Sequence, residues 1–353
     1  MKQVLLNLQL QIKEGDKMNN KTKKILHSSE FYVGVIIILF CLLIQMRSGQ
    51  FFTGNNLVDI IRSFTIPVMF CVGELMVLIS GGVDCSFPAI ASLSMFVVCK
   101  YLENVTTNPL PFFIVAALIG LVFGILNGVI IGKYRFPALI VTLGTSSICW
   151  GVMQGVFQSR EYPLCPALLA VGKAKLLTAT NAETGLSSDL PMITVFMILL
   201  LILGWFILNK TMLGRGIYAI GGDIIAAKRA GFNVFGTTVF IYAFSGMMAG
   251  IIGVFRACML QAVHPNNLEG LEMTAIAACV LGGVSITGGK GTVLQACLGM
   301  ALLTIVSNSL ILLGISTNWQ NVVTGLIIIA GTAATAIQNQ RNAKKLAVKL
   351  TES

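Results

Sequence analysis

Apolar residues fill this chain in long blocks, separated by short polar or glycine-rich pieces. A helix that crosses a bilayer needs roughly 20 mostly apolar residues, and about ten blocks fall near that length. They run from Phe31 to Met46, about Val58 to Ser80, Cys85 to Leu102, Leu110 to Gly132 and Pro137 to Phe157. After a long polar stretch, Gln158 to Leu190, come Pro191 to Leu208, about Thr237 to Met259, Leu271 to about Val284, Thr292 to Leu313 and about Trp319 to Ile337. The second block carries Asp59, Arg62, Pro67 and Glu74, and the proline predicts a bend. The expected fold is all-α and polytopic, with broken helices.

The break that organises the pattern is Ala275 to Thr292, AIAACVLGGVSITGGKGT. Gly282, Gly283, Gly288, Gly289 and Gly291 allow positive φ, which a residue with a Cβ adopts only at a cost, so the helix is expected to stop here. Freed backbone groups at membrane depth are tolerated only against protein or a water-lined cavity, which makes a break the marker of a path. A phosphate-binding loop would need Gly at 284 and Ser or Thr at 291, where the chain has Val284 and Gly291. An echo stands earlier: LISGGVDCSFPAIASLSM also places a pair, Gly81 and Gly82, between two blocks, as duplicated transporter halves do.

Composition agrees with a membrane chain. Of 353 residues, 56% are hydrophobic and 11% charged, with a mean hydropathy of +0.85, too little polar surface for a soluble domain. The net charge of +10 therefore reads as a topology signal and not as a nucleic-acid footprint. Placing both ends in the cytoplasm puts on the inner side the tail lysines 2, 13, 17, 21, 23 and 24, Lys133, Arg135, Lys210, Arg215, Lys228, Arg229, Lys290, Arg341, Lys344, Lys345 and Lys349. Far fewer basic residues are left outside or in spans. The domain reading is a cytoplasmic tail at 1–30, a transmembrane domain at 31–338 with an inner loop at 209–236, and a cytoplasmic tail at 339–353. The nine cysteines show no C-x-x-C and no histidine at zinc spacing, so no disulfide framework or metal site is implied.

Polar residues inside spans are the functional candidates. Glu74, Asp84 and Glu272 lie in or beside apolar blocks, where an ionised group costs about 2.5–3.5 kcal/mol on insertion scales. Asp84 also reads as a helix cap at a solvated start, and Glu272 as a surface group. Asp59 and Arg62, three apart, are expected to pair with each other. Asn127, Thr142, Asn308 and Gln320 suit a path for a hydroxyl-rich solute or serve as glue between helices. No catalytic triad or paired carboxylates appear, and an enzyme is not expected.

The inner loop Asn209 to Gly236 contains GGDIIAAKRAGFNV. Gly221, Gly222 and Asp223 supply a turn and a cap, Ala226, Ala227, Lys228 and Arg229 favour a short helix, and Gly231 stops it. A capped helix on the inner face suggests a docking element.

With these pieces assembled, the chain resembles the ribose-type permeases of sugar-importing ABC transporters. The matching segments run in order from FFTGNNL at Phe51 through GGVDCS at Gly81, NGVIIGK at Asn127, FPALIVTLGT at Phe136, LGRGIYAIGGD at Leu213, AAKRAGFNV at Ala226 and the glycine stretch, to LLGISTNWQ at Leu312. The resemblance implies a multi-pass protein of the bacterial inner membrane that pairs with a second permease, the same or a paralogue. It also implies a separate ABC ATPase, which holds ATP and Mg, and an extracytoplasmic sugar-binding protein. This chain would then bind no cofactor directly, and Asp223 to Gly231 would be the coupling helix. Departures from the pattern fall at Glu74, Cys85 to Pro88, Ile224, Ile225, Arg229, Ala230, Thr274 and Gln295, and fit a subunit paired with a different permease. The competing readings are a secondary transporter using Glu74 or Asp84 as an ion or proton site, and a membrane scaffold that transports nothing.

Overall fold

The computed structural model describes residues 29–329 except 159, 182–184, 317, 318 and 321, together with residue 333. The tails at 1–28 and 339–353, with the tail lysines, lie outside the described residues, as does much of the tenth expected span, of which residues 322–329 are helical. Among the described residues, seven helices are long and apolar enough to cross a membrane. They are α1 (Ser29–Ser48), α2 (Gly54–Ile79), α4 (Leu110–Tyr134), α5 (Ala138–Gly155), α7 (Ile193–Lys210), α10 (Val234–Leu260) and α12 (Val293–Leu312). Two apolar helices are shorter: α3 (Phe87–Leu102) and α11 (Leu271–Leu281). At 1.5 Å per residue, the 11 residues of α11 reach only about 16 Å, roughly half of a hydrocarbon core near 30 Å. The expected third and eighth spans are therefore short helices, because each adjoins a glycine break that removes residues from the helix.

Helices α2 and α10 form the centre. From Thr65 to Ile79 every residue of α2 except Pro67 is buried, and the proline sits inside one continuous helix. Helix α4 lies directly on α10, because small residues every four positions let the backbones approach. A Cβ at Gly120 would lie 2.0 Å from the Gly246 carbonyl oxygen, one at Gly124 2.3 Å from that of Tyr242, and one at Gly250 2.0 Å from that of Ala116. This glycine stripe was not anticipated, although its spacing stands in the sequence. Helices α1 and α5 are mostly exposed at the periphery.

The stretch Gln158 to Leu190, expected only as polar chain, forms elements of its own. They are β1 (Tyr162–Pro163), α6 (Pro166–Lys173) and an antiparallel hairpin of β2 (Lys175–Thr180) with β3 (Ser187–Pro191). Strand β1 pairs with β4 (Ala262–Val263), which follows α10. The hairpin overturns the expected Asp59–Arg62 pair. Asp59 instead accepts a 2.8 Å hydrogen bond from the Ser188 hydroxyl, and Arg62 lines the same cavity as Asp189. The loop at 209–236 is also more ordered than expected, with helices α8 (Met212–Gly222) and α9 (Ile224–Arg229). All nine cysteines are free.

Candidate functional site

Two helices end in the interior by the same device. At the end of α2, the Gly82 N–H bonds the Val77 carbonyl and the Gly81 N–H bonds that of Leu78, with Gly81 at φ +85°. At the end of α11, the Val284 N–H bonds the Cys279 carbonyl and the Gly283 N–H bonds that of Val280, with Gly283 at φ +105°. Both are left-handed glycine stops that satisfy terminal carbonyls. Positive φ also occurs at Gly288 and Gly289, but not at Gly282 or Gly291, where it was expected, nor at Gly82. Those three are needed for close approach. A Cβ at Gly282 would lie 1.9 Å from the Gln295 carbonyl oxygen, and one at Gly82 2.6 Å from the Tyr242 hydroxyl.

Beyond the first stop the chain has no regular structure up to Ser86, and its freed groups are satisfied by side chains. The Asp84 N–H donates to both carboxylate oxygens of Glu74, at 3.3 and 3.4 Å. The Cys85 N–H donates to Thr142 Oγ1 at 3.1 Å. Asp84 Oδ1 accepts from the Ser86 N–H at 2.8 Å and the Ser86 hydroxyl at 2.6 Å, and Oδ2 accepts from Ser245 at 3.2 Å. Asn127 Nδ2 donates to Ser86 Oγ at 3.0 Å, while its own carbonyl accepts from Thr145. Glu74, Asp84, Ser86, Asn127 and Thr142 are all 0–1% exposed. Asp84 is thus no solvated cap, because α10 and α4 close over it, and among the described residues no Lys or Arg forms an ion pair with either carboxylate.

The structure therefore gathers Glu74, Asp84, Asn127 and Thr142 into one network and leaves Glu272, Thr274 and Asn308 out of it. Glu272 and Thr274 are half-buried near the start of α11, and Asn308 is half-buried on α12. Gln320 donates to the Ser307 carbonyl at 3.1 Å. Sequence reasoning missed Ser86, Thr145 and Ser245, whose signal was a hydroxyl in an otherwise apolar block, a signal weak at any one position.

The second break reaches the first. The Gly289 N–H donates to the Ile79 carbonyl at 2.8 Å. Gly221, at the end of α8, sits between them: a Cβ there would lie 1.7 Å from the Ile79 carbonyl oxygen and 2.5 Å from the Gly289 nitrogen. One at Gly288 would meet the Gly221 oxygen at 2.7 Å and the Gly81 Cα at 3.0 Å. Tyr218 on α8 donates to the Gly291 carbonyl at 2.7 Å. The pairs Gly81–Gly82, Gly221–Gly222 and Gly288–Gly289 thus form one backbone junction. Gly221 and Gly222 end a helix and do not form the expected turn.

Helix α9 follows the junction directly. The Asp223 carboxylate accepts from the Ile225 and Ala226 N–H groups at 2.7 and 3.1 Å, capping α9 as expected, and Gly231 at φ +86° stops it. Ile224, Ile225, Ala226, Lys228 and Arg229 are exposed, whereas Ala227 is buried in the chain's own fold. A cavity of about 260 Å³ lies between the first break and this segment, lined by Gly82, Arg135, Ile220, Ile224 and Tyr242 among others.

A family model described as the branched-chain amino acid transport system / permease component matches residues 56–331. The chain belongs to this family. It is 29% identical over 315 residues to the ribose import permease protein RbsC of Haemophilus influenzae, covering 88% of this chain and 94% of that one. Against the ribose import permease protein RbsC of Escherichia coli K12 it is 28% identical over 301 residues, with 84% and 90% covered. Against the autoinducer 2 import system permease protein LsrC of Yersinia pestis (strain Pestoides F) it is 30% identical over 294 residues, with 83% and 80% covered. No solved structure matches the chain. The permease is thus a multi-pass membrane protein of the ribose type within the ABC importers, and the junction and buried network lie inside the matched region.

Proposed function

We propose that this permease is the transmembrane subunit of an ATP-binding-cassette importer for a monosaccharide or sugar-like solute. A separate ATPase binds ATP and Mg and drives it, an extracytoplasmic protein delivers the solute, and a second permease subunit, the same or a paralogue, completes the pore. The protein sits in a bacterial inner membrane with both ends cytoplasmic.

The observation that carries this reading is the junction of three glycine pairs. An ATPase docked on the exposed face of α9 moves Asp223 and, one residue before it, the end of α8. Gly221 has no slack against Ile79 and Gly289, so its displacement is passed to the ends of α2 and α11 together. Close-packed backbone transmits such strain because it has no soft side chain to absorb it. The two broken helices then shift as one unit, which opens the path to one side and closes it to the other.

The ion-coupled alternative needs Glu74 or Asp84 on an accessible path. Both are closed inside a network that satisfies them, and this weighs against it. ATP-driven uptake into vesicles should survive an uncoupler and stop without ATP, and the opposite pattern would restore the secondary transporter.

A docking test must use the exposed face, so the variant is Ala226→Trp and not one at buried Ala227. The variant should insert and melt as the parent does, yet no longer co-purify with its ATPase or import. Retained co-purification and uptake would remove α9 from the docking surface.

A further inference from the structure

On one face of the protein, the ends of α2, α7 and α10 surface together around the β2–β3 hairpin. A cavity of about 320 Å³ there is lined by Arg62, Lys173, Lys175, Asp189 and Gln261 among others. Asp189 is the single acidic residue in that lining, and it is already engaged. Lys175 Nζ donates to both its oxygens at 3.1 Å, and the Thr178 hydroxyl donates to Oδ1. Those bonds, the one from Thr178 first, hold its carboxyl below the ordinary carboxylate range, and Arg62 adds a weaker attraction. Lys173 has no hydrogen-bond or ion-pair partner among the described residues, and Arg62 has only that long-range pull. The cup carries three cations against one carboxylate.

The cup does not stand alone. Ala174 lines it and also lines an adjoining open groove of about 540 Å³. The groove is walled by Met192, Val195, Phe196 and Leu199, spaced along one face of α7, and by Phe255 of α10. Its residues are wholly apolar, and Met192, Val195 and Leu199 are exposed. Helix α7 is a span long and apolar enough to cross the membrane, so the groove runs into the hydrocarbon from a cationic cup at the interface.

We propose that the cup and groove together form a binding site for one anionic phospholipid, with the phosphate among Arg62, Lys173 and Lys175 and an acyl chain along α7. Charge selects the occupant. A zwitterionic lipid would bring a second cation, its headgroup ammonium, against Arg62 and Lys173 together with its phosphate, and a soluble phosphate would leave the groove unfilled. Basic residues at the membrane surface attract anionic headgroups by roughly fivefold in binding for each Lys or Arg.

The test is native mass spectrometry of the purified full-length permease titrated with phosphatidylglycerol, with phosphatidylcholine of the same chains, and with glycerol 3-phosphate. The expected result is one phosphatidylglycerol retained in preference to phosphatidylcholine, with no retention or competition by glycerol 3-phosphate. The double variant Arg62→Gln, Lys173→Gln should lose that preference by roughly 25-fold while still holding phosphatidylcholine weakly, which separates loss of charge from misfolding. Leu199→Trp, which fills the groove, should expel both lipids. Equal retention of the two lipids by the parent, or a preference unchanged in the double variant, would overturn the site. Effective competition by glycerol 3-phosphate would make the cup a soluble-anion site instead. Disulfide-linked dimers formed through Leu199→Cys, absent from the parent, would show that a second copy covers the groove and would equally refute the lipid.

Discussion

The two breaks stop their helices in the same way and then satisfy their freed backbone in opposite ways. After Gly81, the N–H groups of Asp84, Cys85 and Ser86 are taken up by the side chains of Glu74, Thr142 and Asp84, all buried. After Gly283, the loop closes largely on backbone: the Ser285 N–H bonds the Lys290 carbonyl, that of Gly288 the Ser285 carbonyl, and that of Gly289 the Ile79 carbonyl of the other break. Ile286, Thr287 and Lys290 meanwhile stay exposed. One break is a sealed polar knot and the other a glycine loop open on one side. The first should therefore fail when polar atoms are removed, and the second when atoms are added.

The largest effect is expected where no atom can be added at all. Gly221→Val puts a side chain where a Cβ alone would be 1.7 Å from the Ile79 carbonyl oxygen, so α8 must leave the junction. Gly283→Val and Gly289→Val impose positive φ on a β-branched residue. All three should abolish uptake while the protein still inserts, with Gly221→Val the most damaging. Normal uptake in these variants would show that the breaks move without the junction.

Next comes the sealed side. Asp84→Ala strands the Ser86 N–H and two hydroxyls, and a stranded buried donor costs about 1–3 kcal/mol. The Ser86 N–H is fixed at the start of α3 and cannot turn to another partner. Asp84→Asn keeps Oδ1 as an acceptor and should lose clearly less. Thermal unfolding in detergent compares the two, and equal losses would mean that the charge, not the acceptor, matters.

Glu74→Gln should be milder still. It keeps an oxygen for the Asp84 N–H and removes one of two neighbouring buried carboxylates, and replacing a buried charge at constant shape is often neutral or stabilising. The melting temperature should hold or rise and uptake should persist. Unchanged melting with altered solute preference would put Glu74 on the path after all.

Much of this contrast is legible in the sequence. The glycine pairs, the break, the cap at Asp223 and the stop at Gly231 each depend on local backbone chemistry, and each was readable from a few neighbouring residues. Glu74, Asp84, Asn127 and Thr142 stood out as polar groups in apolar blocks, but nothing local said that they touch. Their contact depends on how α4 and α5 pack against the end of α2, which no local spacing gives. The Asp59–Arg62 expectation failed for the same reason, since spacing gave the neighbour on the helix but not the distant Ser188 that took the carboxylate. The junction at Gly221 was hidden because a glycine pair before an aspartate is locally indistinguishable from a turn. The burial of Ala227 among exposed neighbours was hidden as well, because alanine suits an exposed helix face and a buried one equally.

The smallest expected effect tests whether the open break is a moving part or only a helix start. Helix α12 begins with a reciprocal cap: the Gln295 N–H donates to Thr292 Oγ1 at 3.2 Å, and the Thr292 N–H donates to Gln295 Oε1 at 3.0 Å. Thr292 is exposed, so water can replace part of what its hydroxyl supplies. Removing a cap of this kind costs about 1 kcal/mol. Thr292→Ala should therefore lower thermal stability slightly and leave uptake intact, because the hydroxyl takes no part in the contacts among Ile79, Gly221 and Gly289. Gln295→Ala should act alike, and the double variant should cost less than the sum, since each single change already breaks part of the reciprocal box. Ser86→Ala at the start of α3 provides the contrast. Its hydroxyl joins Asp84 to Asn127 inside the sealed network, where no water replaces it, and the loss should be larger. If Thr292→Ala instead stops uptake at unchanged stability, the start of α12 belongs to the mechanism, and the division between a sealed break and an open one would have to be redrawn around it.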